Sequence, residues 1–346
     1  MKCKKTVMGI AALMIIVFHF WILLSPGMAG KKIEQSIINT TYIGVDLFFL
    51  VSGYSLGLKK QIKYGQFVLN RFLYIYLPFA FLAIVCKFYK GWKWSRLGLV
   101  LCGAEFFKKG GGAFLWFVTG ICLVYLLAPF MVKLKNRLKW WALPILIGIW
   151  AVLVVLLQYA FGYTTIHILL NRLPAFFLGM YYDDFRKILL EKKRWPYVLP
   201  IMGTALVGGC ALIYRFGGMV RLNVPISEMY YVIALPAVVS LVFWIDFWAE
   251  RSKIKNVPLE FVGGITLEIY GLQMVFGYDI EGFILTKLLS AKMQYHLNDI
   301  SNILLQFLSF IMTLLLLVLM AWLFSQFRKL VEKFVKKLVA KSKKAN

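Results

Sequence analysis

Apolar runs long enough to cross a bilayer recur along almost the whole chain, and no water-soluble fold accommodates so many of them. Ten can be marked, at roughly 7–25, 38–58, 72–90, 113–132, 140–160, 165–181, 196–214, 228–248, 259–280 and 303–325. Each has, or nearly has, the roughly 20 residues that traverse about 30 Å of hydrocarbon at 1.5 Å per residue. Composition agrees, with 61% hydrophobic residues where a soluble domain carries about 45–50%. The expected fold is therefore all-α: a polytopic membrane protein of about ten transmembrane helices. Residues 1–326 would form the membrane domain, and 327–346 a basic tail. The first run follows a basic start but exceeds the 7–15 apolar residues of a signal peptide, so it is read as a span. The stretch Leu97–Phe107 is too short to span and reads as an interfacial or re-entrant piece beside Gly110-Gly111-Gly112.

The charge of +25 would point to nucleic acid in a soluble protein; here it reads as topology, and no nucleic-acid partner is expected. With the N-terminus inside, 27 of the 40 Lys+Arg fall in cytoplasmic pieces, 12 in outer loops, and Arg172 inside a span. The positive-inside rule thus favours both termini in the cytoplasm of a multi-pass protein of the cell membrane. The third connection runs against the rule, because Lys87, Lys90, Lys93, Arg96, Lys108 and Lys109 lie outside. The five cysteines are scattered, mostly in apolar runs, and indicate neither a disulfide framework nor a metal site.

Ionisable groups inside spans are costly, so each is a functional candidate. His19 lies about 9 Å below the outer end of the first span, and Asp46 about 12 Å into the second. Arg172 in the sixth span and Gln273 in the ninth are each about 10 Å deep. Four polar side chains from four spans share one shallow layer, with Glu268 deeper. Singly, each has a bland reading: His19 as a packing group, Asp46 and Arg172 as a structural ion pair. The tail from Phe327 to Lys344 alternates apolar residues with lysines at helical spacing. It reads either as an amphipathic helix on the inner leaflet or as a solvated tail that fixes topology.

Several of these residues fall in patterns similar to those of a known family. Gly9 to Leu13 followed by Phe18-His19, and Gly44-Val45-Asp46-Leu47-Phe48-Phe49-Leu50-Val51-Ser52-Gly53-Tyr54, resemble its first- and second-helix signatures. Phe67 to Pro78 with Arg71 resembles the arginine-rich start of the third. Leu115-Trp116-Phe117 with Tyr125 and Pro129 resembles the fourth. Asn171 to Met180 and Gly264 to Tyr270 resemble later helices. On these residues the chain resembles the acyltransferase-3 family, ten-helix membrane O-acyltransferases that modify surface polysaccharides and related acceptors. The sequence departs from the pattern at Met8 in place of the first-motif basic residue, at Tyr74 in place of a further arginine, and at Gln273 in place of a late histidine. Lys5, within about 40° of the His19 face, is the expected substitute for the charge missing at Met8.

The resemblance implies an acyl-CoA donor, acetyl-CoA first, reaching the site from the cytoplasm. The acceptor would be a hydroxylated cell-envelope glycan or lipid-linked sugar reaching it from lipid or from outside. No bound cofactor is expected. His19 is the expected general base, since an imidazole titrates near neutral pH, with a covalent acyl carrier as the other role open to it. Asp46 would orient the ring, or pair with Arg172. Arg71 suits phosphate, and Lys59, Lys60 and Lys63 beside it serve either the donor or topology. Trp116, Arg172, Glu268 and Gln273 complete the expected substrate-binding set with Lys5. Should the acyl group travel onward outside the membrane, another protein would carry it. Two other readings keep the fold: a degenerate family member, given Met8 and Gln273, and a carrier binding solute at the polar layer. No pair of broken spans recurs in the two halves, which weighs against the carrier.

Overall fold

The computed structural model describes residues 1, 3–20, 30–162, 165–190, 195–216, 234–252, 256–288 and 300–345, and all regular structure among them is helical. The far end of the first expected span and the start of the eighth, residues 21–25 and 228–233, lie outside the described residues. The helices are α1 (Lys4–Phe20), α2 (Lys31–Thr41), α3 (Gly44–Gly57), α4 (Tyr64–Arg71), α5 (Leu77–Tyr89), α6 (Trp94–Leu101), α7 (Ala104–Lys109) and α8 (Trp116–Leu138). They continue with α9 (Ala142–Val155), α10 (His167–Leu170), α11 (Leu173–Leu190), α12 (Trp195–Phe216), α13 (Leu235–Ser252), α14 (Val257–Gly264), α15 (Thr266–Phe283) and α16 (Ile300–Ala345).

Among the described residues, four helical stretches are long and apolar enough to cross a membrane: Lys31–Gly57, Tyr64–Tyr89, Trp116–Ala160 and Ile303–Lys337. A fifth is the pair α14–α15, bent by 69°. The chain turns between α8 and α9 at Lys139, a residue at φ 50°. Large apolar side chains such as Leu127, Val152, Leu315 and Leu323 stand exposed, as an apolar solvent permits.

Apolar burial supplies little preference between helices in lipid, so close backbone approach decides which faces meet. Gly53 and Gly57, four residues apart on one face of α3, lie against the Phe176 and Met180 carbonyls of α11. A Cβ on either would sit 2.0 or 2.1 Å from those oxygens. Gly179 closes the same seam from the other side, 2.1 Å from the Leu50 oxygen by the same measure. A second seam joins α1 to α14, where Gly9 meets the Leu259 oxygen and Gly263 the Lys5 oxygen.

The short 97–107 stretch forms α6 and α7, whose Leu97, Val100 and Phe106 are buried. Their charges are organised around one carboxylate: Glu105 accepts from Arg96 at 3.0 Å, Lys109 at 2.8 Å and the Phe114 amide at 3.1 Å. Burial pushes the Glu105 carboxyl up, but the Lys109 and Phe114 hydrogen bonds and the Arg96 charge outweigh it and hold the group below the usual carboxylate range. Lys90 pairs with Asp279 at 3.3 Å. Three of the six basic residues that break the topology rule thus have acidic partners. The tail is continuous with the last span: α16 runs unbroken for 46 residues, and its Arg328 is largely buried.

Candidate active site

A cavity of about 220 Å³ opens between α1, α3, α8, α15, α16 and the segment joining α4 to α5. Helical spacing puts its lining in register. Met8 and Ile15 come from one face of α1; Val45, Phe48 and Ser52 from α3; Phe117, Ile121 and Tyr125 from α8. These spacings of three, four or seven residues are what one helix face supplies. A π turn at Phe72–Tyr76 interrupts the third span and presents Tyr74 and Ile75 to the cavity, the kind of irregularity often found at functional sites. Tyr125 donates its hydroxyl to Ser52 Oγ at 3.1 Å, and Arg71 lies 4.3 Å from the Tyr125 ring centroid.

Arg71 and Tyr74 also line a second, more polar cleft of about 510 Å³ with Lys59, Lys63 and Lys336. The two spaces therefore border one another at these two residues. Every ionisable side chain lining the outer cleft apart from the Tyr74 phenol is a base. Lys4 adds to the same field: burial first, and then the Arg71 charge, hold its ammonium below the ordinary lysine range. An anion entering this cleft meets opposite charge throughout.

At the other end of α1, His19 is half-buried and its Nδ1 stands 3.5 Å from Gln273 Nε2. Ile15 and Tyr270 line the cavity, while His19 and Gln273 follow them by four and three residues, about 6 and 4.5 Å along each helix. Asp46 does not hydrogen-bond His19; its Oδ2 is bound by Arg172 Nη1, and both residues are almost wholly buried. Arg172 also lies over the Tyr42 ring at 4.3 Å, and Phe18 packs between Tyr42 at 5.9 Å and His19 at 5.1 Å. The expected polar layer is thus two pairs, His19–Gln273 and Asp46–Arg172, bridged by aromatic rings.

The remaining expected residues divide. Arg71 and Glu268 line the cavity. Lys5 does not; its side chain is exposed while its backbone packs on Gly263. From α1 it is Met8 and Ile15 that line the cavity, and Lys4, four residues before Met8, feels the Arg71 charge. Trp116 packs edge-on to Phe117 at 6.4 Å, and it is Phe117 that reaches the cavity. Sequence reasoning missed Arg328 altogether: its Nε donates to Glu268 Oε1 at 2.6 Å inside the cavity. Its signal was an arginine at the boundary between the last apolar run and the basic tail, which positive-inside topology explained too readily.

The family described as an acyltransferase domain, acyltransferase-3, matches residues 8–322. No curated protein and no solved structure matches the chain.

Proposed function

The chain belongs to the acyltransferase-3 family, and from that premise we propose that it moves an acyl group, acetyl first, from acyl-CoA to a hydroxyl of a cell-envelope glycan or lipid-linked sugar. The observation that carries this reading is a basic outer cleft next to an aromatic-lined cavity, with Arg71 and Tyr74 lining both. That is the shape a long donor with phosphates at one end and a thioester at the other requires. The basic end of the bundle then faces the cytoplasm, in keeping with the distribution of Lys and Arg, and the protein resides in the cell membrane.

In this reading His19 removes the acceptor hydroxyl's proton as the oxygen attacks the thioester carbonyl. The leaving CoA thiolate departs toward the basic cleft, where Arg71 and the lysines hold its phosphates. Gln273 takes the role first assigned to Asp46: with its amide oxygen, which has no other hydrogen-bond partner, turned toward the ring 3.5 Å away, it would accept from Nδ1–H and leave Nε2 free to take the proton. Asp46 and Arg172 instead tie α3 to the α10–α11 break.

The test is transfer of label from [14C]acetyl-CoA to envelope glycan by membranes containing the protein. Label transfer that His19→Ala abolishes supports the assignment. Undiminished transfer by the variant removes His19 from the chemistry, and absence of transfer by the wild type favours a degenerate, binding-only member.

A further inference from the structure

Arg328 is the one guanidinium that the last helix sends into the cavity. Glu268 holds it through Nε, and Glu332 Oε2 lies 3.6 Å from Nη1, beyond hydrogen-bond length. Nη1 is buried and has no hydrogen-bond partner. The side chain lies 5.1 Å from the Tyr74 ring centroid, and Lys336, two turns further along α16, lies 5.4 Å from the same ring. Tyr74 lines both spaces, so Arg328 stands beside a residue the two share. Arg71, Arg328, Lys59, Lys63 and Lys336 gather here against two carboxylates, Glu268 and Glu332, the latter also bound to Lys336. A buried N–H without a hydrogen-bond partner is costly, and the remaining cationic excess selects an anionic ligand.

We propose that Arg328 is a donor-binding residue: Glu268 fixes its guanidinium through Nε, and the unused Nη1 donates to a phosphate oxygen of the acyl donor as the acyl arm passes Tyr74 into the cavity. Arg71 faces it from the third span, so the donor's phosphate is gripped from both sides. Glu268 is then a positioning residue acting through Arg328, not a substrate contact. Residues beyond the last apolar run become part of the donor site. The inference rests on the acyl-CoA reading above.

The probe is coenzyme A itself, titrated into the full chain in lipid nanodiscs. Wild type is expected to bind. Arg328→Gln combined with Glu268→Gln removes both buried charges together and is expected to raise Kd roughly tenfold or more, the usual loss for one charge-assisted hydrogen bond. Glu268→Gln alone, which keeps the guanidinium but loosens its hold, is expected to raise Kd by a smaller factor than the double variant, about two- to fivefold. Equal affinity in wild type and the double variant overturns the assignment of Arg328. Should the double variant not fold, Arg328→Lys serves: a single ammonium cannot hold Glu268 and a phosphate in the guanidinium's fork geometry. Its wild-type affinity would overturn the proposal equally. If wild type itself does not bind coenzyme A, the donor reading fails and this inference with it, a result distinct from loss of the Arg328 effect alone.

Discussion

The two ends of α1 solve opposite problems. At the basic end, cations outnumber carboxylates around open space: Arg71, Lys59, Lys63 and Lys336 along the cleft and Arg328 in the cavity, against Glu268 and Glu332. At the other end, polar groups are drawn into pairs: Asp46 on Arg172, both almost wholly buried, and His19, half-buried, against Gln273, with Phe18 and Tyr42 between. A site that admits a charged ligand must leave charge uncompensated, and can do so only near water. Deeper in lipid an isolated charge costs too much, and pairing is the way to keep it. The same chain therefore carries a receptive end and a braced end, and substitutions should separate them.

The largest separation is expected at His19. If it is the base, His19→Ala should lower acyl transfer by about 10²–10⁴-fold, while coenzyme A affinity, set at the other end, stays as in wild type. Loss of both together would join the two ends into one functional unit. Next comes the brace. Asp46→Ala strips Arg172 of its carboxylate in a buried setting and should cost about 3–5 kcal/mol of stability, read as a fall in thermal midpoint in detergent. A double variant, Asp46→Leu with Arg172→Met, should recover much of that loss, because it leaves no lone charge.

The α3–α11 seam should respond less. Gly179→Ala places a methyl against the Leu50 oxygen, and the helices must part, at about 1–3 kcal/mol. The smallest effect is expected outside both ends, at Glu105. Its carboxyl is held below the usual range, so the stability it contributes is present above the ordinary carboxylate pKa and is lost as pH falls through the folded value. Glu105→Gln should cost about 1 kcal/mol at neutral pH. It should also flatten the acid limb of the stability profile, which thermal melts across pH would record.

Much of the fold was legible before any coordinates. Apolar composition marked the all-helical class, but of the ten expected spans four helical stretches, or five with the bent pair, are long and apolar enough among the described residues; Leu97–Phe107, set apart as too short to span, lies in the short helices α6 and α7. The breaks were less visible. The π turn after Arg71 and the 69° bend between α14 and α15 fall inside unbroken apolar runs, where hydropathy carries no local signal. At the site, Arg71, Glu268 and the His19–Gln273 neighbourhood were legible because a polar residue in an apolar run is conspicuous. Lys5 and Trp116 fall off the cavity lining, where α1 contributes Met8 and Ile15 and α8 contributes Phe117. One residue is about 100° of rotation on a helix, and sequence alone does not fix the zero of that angle.

What the sequence by itself determined is the inventory: which segments are helical, which are apolar enough for lipid, where the basic residues lie, and which polar groups must find partners. What only the tertiary structure decided is the pairing. Arg172 meets Asp46 across 126 residues of chain, one of two partners the sequence had left open for that carboxylate, and Arg328 meets Glu268 across 60, a pairing that neither segment marked. The physical reason lies in the seams: helices in lipid are held in register by the few places where their backbones touch, at Gly9, Gly53, Gly57, Gly179 and Gly263. Those contacts set each helix's rotation, and rotation alone determines which side chains look into the cavity and which look out.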